Sequence, residues 1–198
     1  MMNEYDFDYD EWKRNQPTLT EEKSHPNHWF NRASDIRASA HVLWLVMESK
    51  KIQRDLGYGG GFSLGVACHP VYIMLCGLAL ELIMKAVIVQ KNIKVKKTHD
   101  LNLLAKDLGM PLDAKKKVLL RYYKDYIEWS GRYPVPLSGK DEDLKAFWAL
   151  SNAVTMSSST KFKGSKLKFI EPNGATDWNN FDELWKTVCE QFTFGGEN

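Results

Sequence analysis

The sequence predicts an all-α fold, an up-and-down bundle of about five to six helices, with a short β-hairpin as an option near residues 160–170. Three observations carry this expectation. Apolar residues recur at three- and four-residue steps through most of the chain. Glycine- and proline-rich breaks such as "GYGGGFSLG" and "GRYPVP" separate the periodic stretches. No strand–helix alternation announces a parallel sheet, and no internal repeat is found.

The elements follow in order. Residues 1–27 mix carboxylates, aromatics and Pro without a clear period, and read as an N-terminal acidic and aromatic arm, loose or laid across the body. Residues 28–192 form one helical domain, and 193–198 a C-terminal tail. Trp29, Ala33, Ile36, Ala40, Leu43, Trp44 and Met47 mark the stripe of a first helix. Pro70 suits the first turn of a second, which runs to about Asn92. Thr98 is placed to cap a third, with Asp100 in its first turn, Leu101, Leu104 and Leu108 on one face, and Gly109 ending it. A fourth spans about Asp113 to Ser130, stopped by Gly131. "KDEDLKAFWALSNAV" reads as a fifth helix, and "WNNFDELWKTVCEQF", after Asp177, as a sixth. Between these two, "SSSTKFKGSKLKFIEPNG" alternates Lys with apolar residues, as a hairpin or a long loop does.

The chain has 198 residues, 43% of them hydrophobic and seven of them Trp, enough to bury a core. Its net charge of +2 argues against both a histone-like polyanion binder and an acidic solvating protein. Cys68, Cys76 and Cys189 are odd in number and lack metal-ligand spacing, which suits a reduced intracellular protein. The acidic N-terminus cannot be the basic start of a signal peptide. Residues 71–90 approach membrane-spanning length, but Glu81 and Lys85 stand at their centre, where charge is expensive in lipid. The expectation is a soluble cytoplasmic protein with no membrane contact, no metal and no cofactor.

Glu81 and Lys85 also hold the strongest functional cue. Four residues apart on a helix, they are neighbours on one face, with Glu in the favoured N-terminal position, so they can form a structural ion pair. After them come His99-Asp100-Leu101 at the start of the next helix and Arg132-Tyr133-Pro134 after a Tyr-rich one. This ordered set resembles the HEPN family of small helical nucleotide- or RNA-associated domains, over about residues 30–160. The resemblance implies an up-and-down bundle of four or five helices, often paired into homodimers. It also brings an association with metal-independent RNases of toxin–antitoxin and phage-defence systems. The family's catalytic signature is an Arg followed, after four to six residues, by a His. Here Arg37 precedes His41 with three residues between, on the first helix, and neither Arg121 nor Arg132 has a His after it. Arg37 and His41 can still share a helix face, which makes them the candidate catalytic pair.

Without that signature, Arg132, Tyr133, Lys85 and His99 are candidates for a nucleotide or anion site. Arg132 offers a fork of donors, Lys85 a point charge, and His99 a position near exposed helix amides. The same charged groups can instead lock the bundle, with Glu81 pairing Arg132 or His99 as well as Lys85. Other signals are weaker. "GFSLG" matches the spacing of a hydrolase nucleophile elbow, but no strand precedes Ser63. His25 and His28 supply two metal ligands without a cluster to complete them. Lys161, Lys163, Lys166 and Lys168 interleave with Phe162 and Phe169, as a nucleic-acid track or a solvated hairpin does. The function expected is a non-catalytic nucleotide- or RNA-associated binding or regulatory module. The alternatives are a metal-independent RNase using Arg37 and His41, and a structural bundle whose arm or aromatics engage a protein partner.

Overall fold

A computed structural model describes residues 8–161 and 168–194. Phe162, Lys163 and Lys166 of the lysine-interleaved segment lie outside the described residues, as do residues 1–7 of the arm and 195–198 of the tail. The fold is helical, with one two-stranded antiparallel sheet. In chain order the elements are α1 (Tyr9–Arg14), α2 (Leu19–Lys23), α3 (Pro26–Met47), α4 (Lys50–Asp55) and α5 (Leu64–Gln90). There follow α6 (Leu101–Asp107), α7 (Ala114–Asp125) with a π-helical turn (Tyr126–Ser130), α8 (Asp141–Thr155), β1 (Met156–Lys161), β2 (Lys168–Pro172) and α9 (Trp178–Cys189).

Helix α5 is the axis of the molecule. A helix that is apolar all round must be covered all round, and α5 is packed by α3, α6, α7, the π-turn and α9. Tyr72, Ile73, Leu80, Ile83, Met84 and Ile88 are fully buried there. Among the described residues α5 is the one helix long and apolar enough to cross a membrane, yet 72% of its most apolar window is buried within the protein.

Local chemistry sets the helix limits. Helix α5 begins at Leu64, six residues before the Pro70 expected to start it, and Pro70 lies inside it. Its end is a left-handed turn: Asn92 takes φ 54°, and Ile93 N–H donates to the Ile88 carbonyl at 3.0 Å. Helix α6 is capped by Asp100 rather than Thr98, because the Asp100 carboxylate reaches Leu103 N–H at 3.1 Å. Thr98 Oγ1 accepts from Asp100 N–H instead, one step outside the helix. Gly109 closes α6 at φ 66°. Asp113 caps α7 through Lys116 N–H at 2.7 Å.

Other elements also differ from the sequence expectation. The arm contains two short helices, α1 and α2, neither burying a residue. Helix α4 forms beyond Met47, the last residue of the first-helix stripe, because Ser49 caps it through Ile52 N–H. The fourth helix widens after Asp125 into a π-turn, in which Gly131 N–H reaches back five residues to the Tyr126 carbonyl at 3.0 Å. In the hairpin, Met156 pairs with Pro172 and Ser158 with Ile170, and the register shifts before Lys161 pairs with Lys168.

Candidate functional site

The charges inside α5 meet a third group. Lys85 Nζ donates to Glu81 Oε1 at 2.6 Å, and the other carboxylate oxygen, Oε2, stands 2.8 Å from His99 Nδ1. Glu81 and Lys85 are buried, whereas the His99 side chain is 54% exposed. One carboxylate thus neutralises a buried ammonium and fixes the imidazole that opens α6. An ionised carboxylate can only accept, which puts the proton of this contact on Nδ1 and turns the Nε2 edge away from Glu81. Of the two partners open to Glu81, the structure shows His99 and not Arg132.

Arg132 serves a different element. Its Nη2 donates to the carbonyls of Ile127 at 3.0 Å and Glu128 at 2.6 Å, groups that the widened π-turn leaves without regular helical partners. The guanidinium also lies 5.3 Å from the Tyr133 ring centre. The π-turn can sit this close to α5 because residue 77 is glycine. A Cβ there would stand 3.0 Å from Ile127 Cδ1 and 3.1 Å from the Tyr123 carbonyl.

These two anchors flank a cleft of about 530 Å³. His99 lines it from the start of α6, Arg121 and Asp125 from α7, and Glu128 and Trp129 from the π-turn. Arg132 lines it from the following turn, and Asp143 and Phe147 from α8. Phe147 packs edge-on against Trp129, ring centres 4.8 Å apart, which makes an aromatic wall. Burial pushes the Asp125 carboxyl above its usual value; Arg121 and Lys124 pull it down, while Glu128 pushes it further up. Three cation-forming side chains from separate elements therefore face mixed carboxylates and an aromatic wall.

Of the four residues expected to form an anion site, the cleft brings together His99 and Arg132. Lys85 lies behind His99, across Glu81, and Tyr133 does not line the cleft. Sequence reasoning missed Arg121, Asp125, Trp129 and Phe147. The signal was available for Arg121, which falls on the same helical face as Lys124 and Glu128 and leads towards Arg132.

Arg37 and His41 share a face of α3 and meet α9. Arg37 Nε donates to Asp182 Oδ1 at 3.2 Å, with Nη2 on the same oxygen. The guanidinium lies 5.3 Å from the Trp178 ring and 5.5 Å from that of Trp185. His41 stacks on Trp178, ring centres 3.9 Å apart and 6° from parallel. Burial works to raise the Asp182 carboxyl, but hydrogen bonds from Lys186 and Arg37 outweigh it and hold the group below its usual value. The arrangement fastens α9 to the bundle. Comparison with protein-family models, with curated proteins and with solved structures found no match to this chain.

Proposed function

We propose that the chain is a HEPN-like binding or regulatory module that holds a phosphate-bearing ligand, a nucleotide or RNA, in the cleft between α6, α7 and α8. One observation carries this reading: His99, Arg121 and Arg132 converge on a single depression walled by Trp129 and Phe147. Guanidinium forks suit phosphate oxygens, and an aromatic wall suits a base. The volume, about 530 Å³, falls in the range of small-ligand pockets. The reading places the protein in the cytoplasm as a homodimer, and a toxin–antitoxin or phage-defence setting follows from the family resemblance alone.

The test is binding of labelled ATP and of labelled single-stranded RNA, comparing wild type with Arg121→Gln and His99→Gln. Arg121 is the cleaner probe, because Arg132→Ala also strips the π-turn of its carbonyl partner. Loss of binding in folded Arg121→Gln supports the reading. Absence of binding by wild type to either ligand removes it in favour of a structural bundle with a protein partner.

A second reading, metal-independent RNA cleavage, is favoured by the His99–Glu81 contact of 2.8 Å. A carboxylate on Nδ1 holds an imidazole in the orientation that proton transfer at Nε2 requires. Cleavage that survives His41→Ala and disappears in His99→Gln would support it.

A further inference from the structure

The positive charge of this chain is concentrated in one segment. Residues 91–124 carry ten Lys and Arg against three Asp (Asp100, Asp107 and Asp113), a net of +7. The whole chain is +2, so the remainder is net −5 (+2 less +7). The segment covers the α5–α6 connection, α6 and most of α7, and side chains tie these parts into one surface. Lys96 Nζ meets Asp107 at 2.7 Å, and Asn102 Nδ2 donates to the Lys117 carbonyl at 2.9 Å. Lys94, Lys97, Lys115 and Lys116 are exposed on it.

Within this surface lies a second depression, of about 580 Å³, between α6 and α7. Lys106 and Lys117 line it, over Met110 and Leu112, and among the described residues no carboxylate does. The Asn102 side chain also lines it, and its buried Oδ1 has no hydrogen-bond partner. Two like charges gathered without a counter-charge repel each other until an anion arrives.

The two depressions are neighbours. Lys117 lines the recess and Arg121 the cleft, one helical turn apart on the same face of α7, about 6 Å along its axis. His99 and Asn102 repeat the step at the start of α6, one lining each depression. We infer that the recess is a second phosphate position continuing the cleft, so that the ligand is a nucleic-acid strand of at least two nucleotides rather than a free mononucleotide. The inference rests on the cleft reading and extends it. In the cleft, phosphate meets Arg121 and a base meets Trp129. In the recess, Lys106 and Lys117 take the next phosphate, and the Asn102 carbonyl oxygen accepts from a base amine or a sugar hydroxyl. Charge complementarity favours such a strand, because only a ligand with regularly repeated anions meets every cation along this path.

The experiment measures binding of labelled oligouridylate and labelled ATP to the full chain, with Lys106→Gln/Lys117→Gln and, separately, Arg121→Gln. Both lysines are exposed, so the double variant keeps its fold, which circular dichroism checks. With Arg121 neutralising one phosphate and the Lys106–Lys117 pair the next, raising salt from about 50 to about 200 mM weakens wild-type RNA binding roughly 7-fold. In the double variant the same change weakens it about threefold, and ATP binding stays at the wild-type level. RNA binding with unaltered affinity and salt slope in the double variant overturns the inference. If Arg121→Gln still abolishes ATP binding, the cleft reading survives that failure. Oligoglutamate of equal charge displacing the RNA as well as unlabelled RNA does overturns the nucleic-acid assignment and points to an acidic protein.

Discussion

Removing one member of the Glu81–Lys85–His99 group tests the central claim about the core of this protein. In Glu81→Leu, the Lys85 ammonium, with a side chain 10% exposed, is left without the carboxylate 2.6 Å away. Breaking a buried pair in this way costs about 3–5 kcal/mol, whereas an exposed pair contributes about 0–1 kcal/mol. For a chain of this length, about 3–5 kcal/mol lowers Tm by roughly 6–20 °C. Lys85→Met is expected to cost less than Glu81→Leu, because Glu81 retains His99 at 2.8 Å, while Lys85 has no other counter-charge among the described residues once Glu81 is gone. Glu81→Leu/Lys85→Met replaces both charges with apolar volume and is expected to lie within about 1–2 kcal/mol of wild type. The assay is urea unfolding of all four proteins at pH 7, with a common slope required before energies are compared. Additive losses, or a Glu81→Leu cost below about 1 kcal/mol, would refute the account of a charge pair made necessary by burial.

Three further outcomes follow from other contacts. Arg37→Ala removes the Asp182 bond and both ring contacts, and is expected to cost about 2 kcal/mol and to loosen α9 in hydrogen exchange. Gly77→Ala gains about 1 kcal/mol of helix propensity but forces Ile127 and the π-turn outward, for a net loss of up to about 2 kcal/mol in urea unfolding. Burial holds His69 below its usual value, so the unfolded chain takes up that proton first. Its contribution is therefore full above the unfolded value near 6.5 and falls as pH drops below it; His69→Phe should lessen the loss of Tm between about pH 7 and pH 5.5.

Much of this architecture was readable because its causes are local. The four-residue spacing of Glu81 and Lys85 fixes their adjacency on any helix, and the apolar run of α5 and the apolar stripe of α9 (Phe181, Leu184, Trp185, Val188) declare which surfaces are buried. Alternation in "SSSTKFKGSKLKFIEPNG" left a hairpin and a long loop open, and β1 pairs with β2 there. Other features depend on contacts that sequence spacing does not encode. Pro70 looked like a helix start, but an earlier turn from Leu64 continues through it. Thr98 and Asp100 are both good caps, and which one is used depends on where the chain enters α6. The π-turn has no marker in "YIEWS" and becomes explicable only with Gly77 opposite it. For the site, His99 and Arg132 were legible as hydrogen-bonding side chains at helix ends. Arg121, Trp129 and Phe147 needed the packing of α7 against α8 to bring them into one cleft.

Helix α5 has a consequence for how the chain is made. During synthesis its apolar stretch leaves the ribosome before α6, α7 and α9, which later cover it, and 87 residues separate its end at Gln90 from the start of α9 at Trp178. Until then the nascent segment has the length and composition by which membrane-insertion machinery selects a span. A lysine at the centre of such a span costs about 2.5–3.5 kcal/mol to insert. Lys85 and Glu81 would thus act before the fold exists, as a mark that raises the cost of placing the unfinished chain in lipid. Glu81→Leu/Lys85→Met, close to neutral once folded, would erase that mark.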